Sequence, residues 1–480
     1  MSDRKDALDP RRAAQSTEFS GADPYALQRA RRDRLRAALR HGRLAVIDIG
    51  AFKICCAVVE FDQNGREPRI LGAAQLRSRG VRAGAIVDMS EAEQAVRAVV
   101  AQAERAAGVR VYYGMATLTG GFPRSLGAAA EITLDDNGRI GAEDVDRALR
   151  SCRAPAVTPA DDAEARTMLH ATPAAWSIDG EQGLRDPRGL SGRRLGVDLH
   201  ILTVAESAVR NVAAAMARAD LEPVGVVSTA YASGLSCLSR DEQEHGAACI
   251  DLGGGASAVS MFLRGRLVFA DLVRLGGEHV TLDISRGLGF GFDEAERLKI
   301  LEGSALAPGS LGQQMLPTPG RHAPRGIHGG PHGGLHGAPH GSPHMLVERY
   351  GERRGPTRSD LVAVIRPRVE EVLELARDRL EQAGFAYLPN RSAVLCGGAA
   401  QLPGVQETAQ KVLGRQVRIG RPRPLPGLTP EFAGPSFAAL TGLIAYANRE
   451  PDEIWDLVRA EAPQTGGLGA RLWRWLRESW

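Results

Sequence analysis

Short runs of consecutive apolar positions alternate along this chain with segments whose apolar residues recur every three to four positions. That is the pattern of buried strands interleaved with amphipathic helices. Arg43–Gly50 (RLAVIDIG) reads as an apolar strand ending in Asp-x-Gly. Lys53–Phe61 is a second strand, Asn64-Gly65 a hairpin turn, and Arg69–Leu76 a third strand. These make an antiparallel meander whose first tight turn carries Asp48, Gly50 and Lys53. The plan recurs at residues 247–261 (AACIDLGGGASAVSM), where a buried strand reaches Asp251, then Gly253, Gly254 and Gly255, then a second strand. Arg264-Gly265-Arg266 turns into a third strand, Leu267–Val273. Near the end, the strand Ser392–Leu395 runs into Gly397 and Gly398.

Between the meanders, Ser90-x-x-Glu93 is a capping box opening a helix that ends at Gly108. Strands follow at Val109–Leu118 and Ala128–Leu134, and a helix starts at Ala142. Residues 84–165 therefore read as a small α+β unit set between two stretches of the larger pattern. Val197–Val204 is a strand, Glu206–Ala219 a helix and Pro223–Ser228 a strand. Helices are expected at Gly277–Gly287, Phe292–Glu302, Asp360–Ala383, Pro403–Leu413 and Pro435–Asn448.

The periodicity lapses in three places. Residues 1–42 read as a disordered basic tail in which Tyr25–Leu39 can form a short helix. Residues 304–356 form a Gly/Pro/His-rich loop. In it His328, His332, His336, His340 and His344 recur every four residues, but the intervening Gly and Pro forbid the helix that would align them. A flexible loop with at most adventitious Zn²⁺ or Ni²⁺ binding is expected there. Residues 449–467 read as a polar linker. Beyond it, residues 468–480 placed on a helix put Leu468, Leu472, Trp473, Trp475, Leu476 and Trp480 on one side and Arg471, Arg474 and Arg477 on the other. Three Trp and three Arg after a linker compose a helix that lies in a membrane interface, Trp at headgroup depth and Arg against anionic lipid. The plainer reading is a helix that docks on its own domain or on a partner.

Composition narrows the picture a little. The 480 residues carry 60 Lys+Arg against 57 Asp+Glu, a net charge of +3 that gives no bulk attraction to nucleic acid. Residues 1–43 alone hold 11 Lys+Arg against 6 Asp+Glu. No apolar run is long enough for a transmembrane helix, and the polar N-terminus has no secretory signal. The 6 cysteines sit mostly in apolar strand-like runs without metal-ligand spacing, as buried free thiols in a reducing cytosol do.

The chemistry is concentrated in the turns. Glycines without Cβ let a ligand approach the backbone, and successive N–H groups in such a turn converge on an anion. Asp251, just before the turn, is placed to hold a hydrated cation against that anion. A hairpin that merely turns the chain fits the second turn equally well when it is taken alone. The first turn and the Gly397–Gly398 pair favour a phosphate–Mg²⁺ site.

With this order of parts the chain resembles the actin-like ATPase superfamily, and within it the FtsA family of bacterial cell-division proteins. The likeness runs from about Arg43 to Trp480. It is carried by VIDIGAFKICCAVV, RGVRAGAIVD, GLSGRRLGVDLHILT, CIDLGGGASAVSMF, LCGGAAQLPGV, QVRIGRP and the terminal helix. The resemblance implies an α/β, actin-like fold: a duplicated ribonuclease-H-like two-domain body with an inserted α+β domain 1C and a C-terminal amphipathic helix. Domain 1A would cover 43–83 and 166–246, domain 1C 84–165, domain 2A 247–276 and 389–448, and domain 2B 277–388. It also implies that Asp48, Gly50 and Lys53 form a first phosphate loop and Asp251, Gly253, Gly254 and Gly255 a second. Asp48 and Asp251 would hold Mg²⁺ through water. Glu296, Lys299, Gly397, Gly398 and Ala399 would hold the adenosine of ATP.

As partners the resemblance implies the C-terminal peptide of FtsZ on domain 2B, further copies of the chain in actin-like protofilaments, anionic membrane lipid, and other division proteins. The place would be the cytoplasmic face of the bacterial inner membrane at the division site. Ala51, Ala256 and Ala258 stand where the family usually carries hydroxyl or acidic side chains, which points to ATP binding with at most weak hydrolysis. No general base is legible; Glu206 is an acid of the first half that the sequence does not place in the cleft. Two rivals share the pattern: a small-molecule kinase of the same superfamily, and an actin-like pilus-assembly protein.

Overall fold

A computed structural model describes residues 24–62, 67–135, 139–152, 165–307, 309–316, 355–388, 392–449 and Glu453. Helix α1 (Pro24–Arg40) leads into a meander of β1 (Arg43–Ile49), β2 (Lys53–Glu60) and β3 (Arg69–Arg77), paired antiparallel in sequence order. After a two-residue pair, β4 (Val81–Arg82) with β5 (Ala85–Ile86), helix α2 (Met89–Ala107) packs on β2 and β3. Strand β6 (Tyr113–Leu118) then joins β1 in parallel, and β11 (Glu222–Ser228) joins β6 in parallel. The sheet order is β11-β6-β1-β2-β3.

The second half repeats this plan. Strands β12 (Ala247–Leu252), β13 (Ser257–Leu263) and β14 (Arg266–Val273) form the meander, and β15 (Ser392–Cys396) and β16 (Val417–Ile419) add in parallel on the far side of β12, in the order β14-β13-β12-β15-β16. In each sheet the first strand is central. β12 is buried along its whole length and β1 over all but its first residue, as near-continuous apolar runs covered on both faces must be. The duplicated, actin-like two-domain fold expected from the sequence is thus the fold of the chain.

Between the halves, helix α5 (Thr229–Cys237) crosses a helix near the C-terminal end of the described chain, Ala438–Asn448. The crossing is so close that a Cβ on Gly442 would lie 1.9 Å from the Ala232 carbonyl oxygen, which only glycine permits. Tyr231, Phe262, Leu440 and Leu443 bury themselves in a core common to both halves.

The inserted unit differs from its expected boundaries. Its sheet is β7 (Arg124–Thr133), β8 (Arg166–Ile178), β9 (Glu181–Leu184) and β10 (Arg194–Ala205), in the order β7-β10-β8-β9, with α3 (Ala142–Ser151) packed on it. It therefore spans 124–205 rather than 84–165. The residues that begin the expected insert belong to the main body, because β6 hydrogen-bonds to β1 and α2 packs on β2 and β3. Conversely, β8 and β10, placed by sequence in domain 1A, pair with each other and with β7.

Three further expectations change. The tail 1–42 contains a docked helix: Leu35 and Ala38 of α1 are buried in the core, and Arg32 is buried beside the Tyr446 ring, so part of the Arg run faces protein. The loop 304–356 begins with ordered chain, where Met315 bridges Thr357 and Leu316 is buried. The linker 449–467 begins with a fully buried Glu453. Helix α2 is capped by Asp88, whose side chain accepts from the Glu91 N–H, rather than by Ser90. Residues 317–354, with the five His, and the helix 468–480 lie outside the described residues. Among the described residues no helix is long and apolar enough to cross a membrane.

The other helices are α4 (Glu206–Arg218), α6 (Arg240–His245), α7 (Gly277–Leu288), α8 (Phe292–Glu302), α9 (Arg358–Gln382), α10 (Val405–Leu413) and α11, the Ala438–Asn448 helix already met. The helices α7, α8 and α9 pack against the second sheet around Ile284, Leu298 and Leu373.

Candidate functional site

The two meanders place their first turns opposite one another. In β1 and β2 the ladder closes at Ile49 opposite Ile54, and the Gly50 N–H donates to the Lys53 carbonyl at 3.1 Å. In β12 and β13 it closes at Leu252 opposite Ser257. Each sheet thus delivers an aspartate one residue before its ladder ends: Asp48 opposite Cys55, and Asp251 opposite Ala258. Between the turns lies a cavity of about 640 Å³.

Every expected phosphate or adenosine residue lines this cavity: Asp48, Gly50 and Lys53; Asp251 and Gly253 to Gly255; Glu296 and Lys299; Gly397, Gly398 and Ala399. The structure brings these dispersed residues together in one cleft. It does not place the terminal Leu, Trp and Arg residues, which lie outside the described chain. Glu206 opens α4 and is not among the lining residues.

Each aspartate is held by a buried hydroxyl. Thr117 on β6 donates to Asp48 Oδ1 at 2.8 Å and accepts the Ile49 N–H at 3.0 Å. Ser233 on α5 donates to Asp251 Oδ2. Burial raises the pKa of both carboxyls. Asp251 is pushed up from 3.8 to about 6, the nearby charge of Asp48 adding to burial while Ser233 and Lys53 oppose it. Burial also lowers the pKa of Lys53, whose ammonium lies 3.2 Å from the centre of the Phe437 ring and 3.3 Å from Ser436 Oγ.

Asp251 is closed in from behind by Gly397, at φ +87°. A Cβ there would sit 2.3 Å from Asp251 Oδ1, so this position requires glycine both for its backbone angle and for space. Farther along the same half, next to Gly277, Lys299 Nζ bonds Glu296 Oε2 at 2.7 Å, Thr281 Oγ1 at 2.9 Å and the Gly277 carbonyl at 3.1 Å, and Thr281 donates to Glu296. The pair is largely buried and triply anchored, unlike the solvated i,i+3 pair that its spacing alone describes.

The residues suit a nucleotide polyphosphate with a hydrated cation. The backbone N–H groups of Ala51, Phe52, Gly254 and Gly255 donate to no protein acceptor among the described residues, so four donors remain at the two turns. The volume lies in the range of small-molecule sites. Two buried carboxyls with raised pKa gain from a cation that lets them ionise. Among the described residues no group of three or more His, Cys, Asp or Glu side chains is arranged to hold a metal, so such a cation would keep much of its water.

Several lining residues escaped the sequence reading. Thr119 and Thr229 face each other at 2.7 Å between hydroxyl oxygens, and Ser436 and Phe437 form the seat of Lys53. Glu278 is a cleft carboxyl whose pKa burial raises, and its N–H donates to the Gly254 carbonyl at 2.8 Å. Only the Gly276-Gly277 pair before Glu278 could have signalled it.

Known proteins resemble the chain in the same parts. A family model described as cell division protein FtsA matches residues 248–442, and one described as the SHS2 domain inserted in FTSA matches residues 120–203, the stretch that forms the small sheet. Cell division protein FtsA of Agrobacterium fabrum is 36% identical over 451 residues, covering 91% of this chain and 94% of that protein. FtsA of Rhizobium meliloti is 35% identical over 450 residues, covering 91% and 94%. FtsA of Escherichia coli is 26% identical over 444 residues, covering 90% and 97%. Among solved structures, a PilM-PilN type IV pilus biogenesis complex matches with a TM-score of 0.54 at 15% identity, over 85% of this chain and 99% of that one, a likeness of fold alone.

Proposed function

The chain belongs to the FtsA family of cell division proteins, and from that premise we propose that it binds Mg²⁺–ATP between its two halves and ties FtsZ filaments to the cytoplasmic face of the bacterial inner membrane at the division site. The observation that carries the nucleotide reading is the cleft: two aspartate–glycine turns, 203 residues apart when counted from Asp48 to Asp251, face one cavity and leave backbone donors uncommitted. The turns at Gly50 and at Gly253–Gly255 would receive the phosphates, with Lys53 beside them. Asp48 and Asp251 would hold Mg²⁺ through water. Glu296, Lys299 and Gly397 to Ala399 would hold the adenosine. The bound ion supplies positive charge between phosphate and carboxylate, and the protein orients both.

Binding takes precedence over hydrolysis in this reading. Ala256 and Ala258 are buried and offer no hydroxyl or carboxyl to the second turn, and Ala51 offers none to the first. We assign the chain a role in nucleotide-dependent self-association into actin-like protofilaments, with domain 2B, about 277–388, receiving the FtsZ C-terminal peptide. Residues 468–480 would anchor it to anionic lipid.

Titration calorimetry of the full chain with Mg²⁺–ATP tests the cleft. Saturable binding is expected, and its absence would overturn the reading. Co-sedimentation with anionic vesicles, with and without residues 468–480, tests the anchor. Equal pelleting of both forms would refute it. Phosphorylation of a sugar without lipid binding would favour the kinase rival.

A further inference from the structure

Glu453 stands in a stretch whose composition marks a linker, yet it is fully buried. Its Oε1 accepts from His170 Nδ1 at 3.0 Å, from the Tyr446 hydroxyl at 3.0 Å and from Arg449 Nη2 at 2.9 Å. His170 lies on β8 of the inserted unit and is itself fixed. The Ser228 backbone N–H donates to its Nε2 at 3.0 Å, so Nε2 carries the lone pair and the ring proton sits on Nδ1, facing the carboxylate. Tyr231 meets the His170 ring edge-on at 5.0 Å. Arg449 lies over the Tyr446 ring at 4.4 Å, and Arg32 of α1 lies 5.5 Å from the same ring. Four elements far apart in sequence, α1, β8, the approach to α5 and the end of α11, therefore meet around one carboxylate.

The other end of α11 is held in the cleft. The helix starts directly after Phe437, the ring that seats Lys53 Nζ. Ser436 touches the same ammonium, and the Pro435 carbonyl accepts the N–H of Gly397 at 3.0 Å. Between its ends α11 is about 16 Å long. Its face is locked against α5 at Gly442, where no Cβ fits. A short helix without room to roll or bend passes a displacement of one end to the other.

We propose that α11 is a connecting rod: the seating of Lys53 on Phe437 and the seating of Glu453 in its socket are coupled. Occupancy of the cleft thereby sets how firmly the chain after α11 is held against the inserted unit. The idea rests on the nucleotide reading of the cleft. A polyphosphate at the first turn draws Lys53 from the aromatic ring to the stronger charge partner. The 435–437 turn then loses the hold of Lys53, keeping the Phe432 ring at 4.8 Å and the Gly397 N–H, α11 shifts, and the socket around Glu453 loosens. Linkage requires the reverse as well: opening the socket must strengthen polyphosphate binding by the same factor.

Hydrogen-exchange mass spectrometry on the full chain, with calorimetry, decides the matter. Mg²⁺–ATP is expected to slow exchange at the turns 48–53 and 251–257 and to speed it about fivefold at 446–449 and 168–172. Phe437→Ala, which removes the seat of Lys53, should speed exchange at the same distant segments without any ligand. Glu453→Ala should tighten Mg²⁺–ATP binding about fivefold. Glu453→Gln, which keeps the side-chain shape and removes only the charge, should do so less, and it serves alone if the alanine variant does not fold. If ATP fails to protect the two turns, the nucleotide reading falls, and Phe437→Ala still tests the rod. Unchanged exchange at 446–449 and 168–172 in Phe437→Ala, or unaltered ATP affinity in both Glu453 variants, overturns the proposal.

Discussion

Replacing Asp251 by asparagine should make the protein more stable and less able to use its cleft. Asp251 is buried on β12, and its carboxyl is pushed from 3.8 to about 6. A carboxyl whose pKa is raised on folding binds its proton more tightly in the folded state. Stability is therefore highest below the unfolded value, falls as pH rises between 3.8 and about 6, and stays reduced above that window. At about 1.4 kcal/mol per pH unit, the loss above the window is about 3 kcal/mol, an upper figure because Lys53 loses a partner in the variant. Asparagine has the size of the protonated acid and still accepts from Ser233, so it escapes the loss. Urea unfolding of both proteins should show Asp251→Asn ahead by about 3 kcal/mol at pH 7.5 and by about half of that at pH 5. Mg²⁺–ATP at 100 times its Kd should then add about 2.7 kcal/mol to the wild type and much less to the variant. A variant less stable than the wild type at pH 7.5, or a gap that does not widen with pH, would refute the assignment of burial as the dominant influence on Asp251.

Gly397→Ala places a methyl group 2.3 Å from Asp251 Oδ1 at a positive φ, and a loss of about 2–4 kcal/mol is expected in thermal unfolding; an unchanged melting temperature would contradict the close approach. Lys299→Ala should weaken ATP binding about tenfold, because its ammonium fixes Glu296 at 2.7 Å on the part of the wall proposed for the adenosine; unchanged ATP affinity in calorimetry would move the adenosine elsewhere. Deleting residues 318–350 should change neither melting nor ATP affinity, whereas a deletion that starts at Ser310 also removes the buried Leu316 and should cost about 2–5 kcal/mol by urea unfolding.

The parts that the sequence announced are local. An apolar run, an Asp and a Gly-rich turn leading to a second run specify a hairpin within about fifteen residues, and both hairpins stand where the pattern puts them. The parts that it withheld depend on distant partners. Strand β8 (RTMLHATPAAWSI) interrupts its apolar run with His170 and Thr172, which are buried because Glu453 and the Leu267 carbonyl receive their hydrogen bonds. The limits of the inserted unit followed from that miss. Arg32 sits in a run that resembles solvated charge, and nothing near it reveals the Tyr446 ring that it meets. Thr117 and Ser233 are single hydroxyls in a strand and a helix, a pattern too common to single out. The cleft was thus legible as two turns, but the hydroxyls that orient its acids were not.

The two sheets share one strand order, so the cleft is bounded by two copies of one plan. A perfectly symmetric cleft could not distinguish one end of an elongated guest from the other. Here the copies have diverged. The first turn carries the ammonium of Lys53 and a single glycine, while the second carries three glycines and no cation. Gly397 stands behind the second aspartate alone. Duplication built the enclosure, and divergence gave it a polarity, so that a guest with unlike ends has one favoured direction of entry.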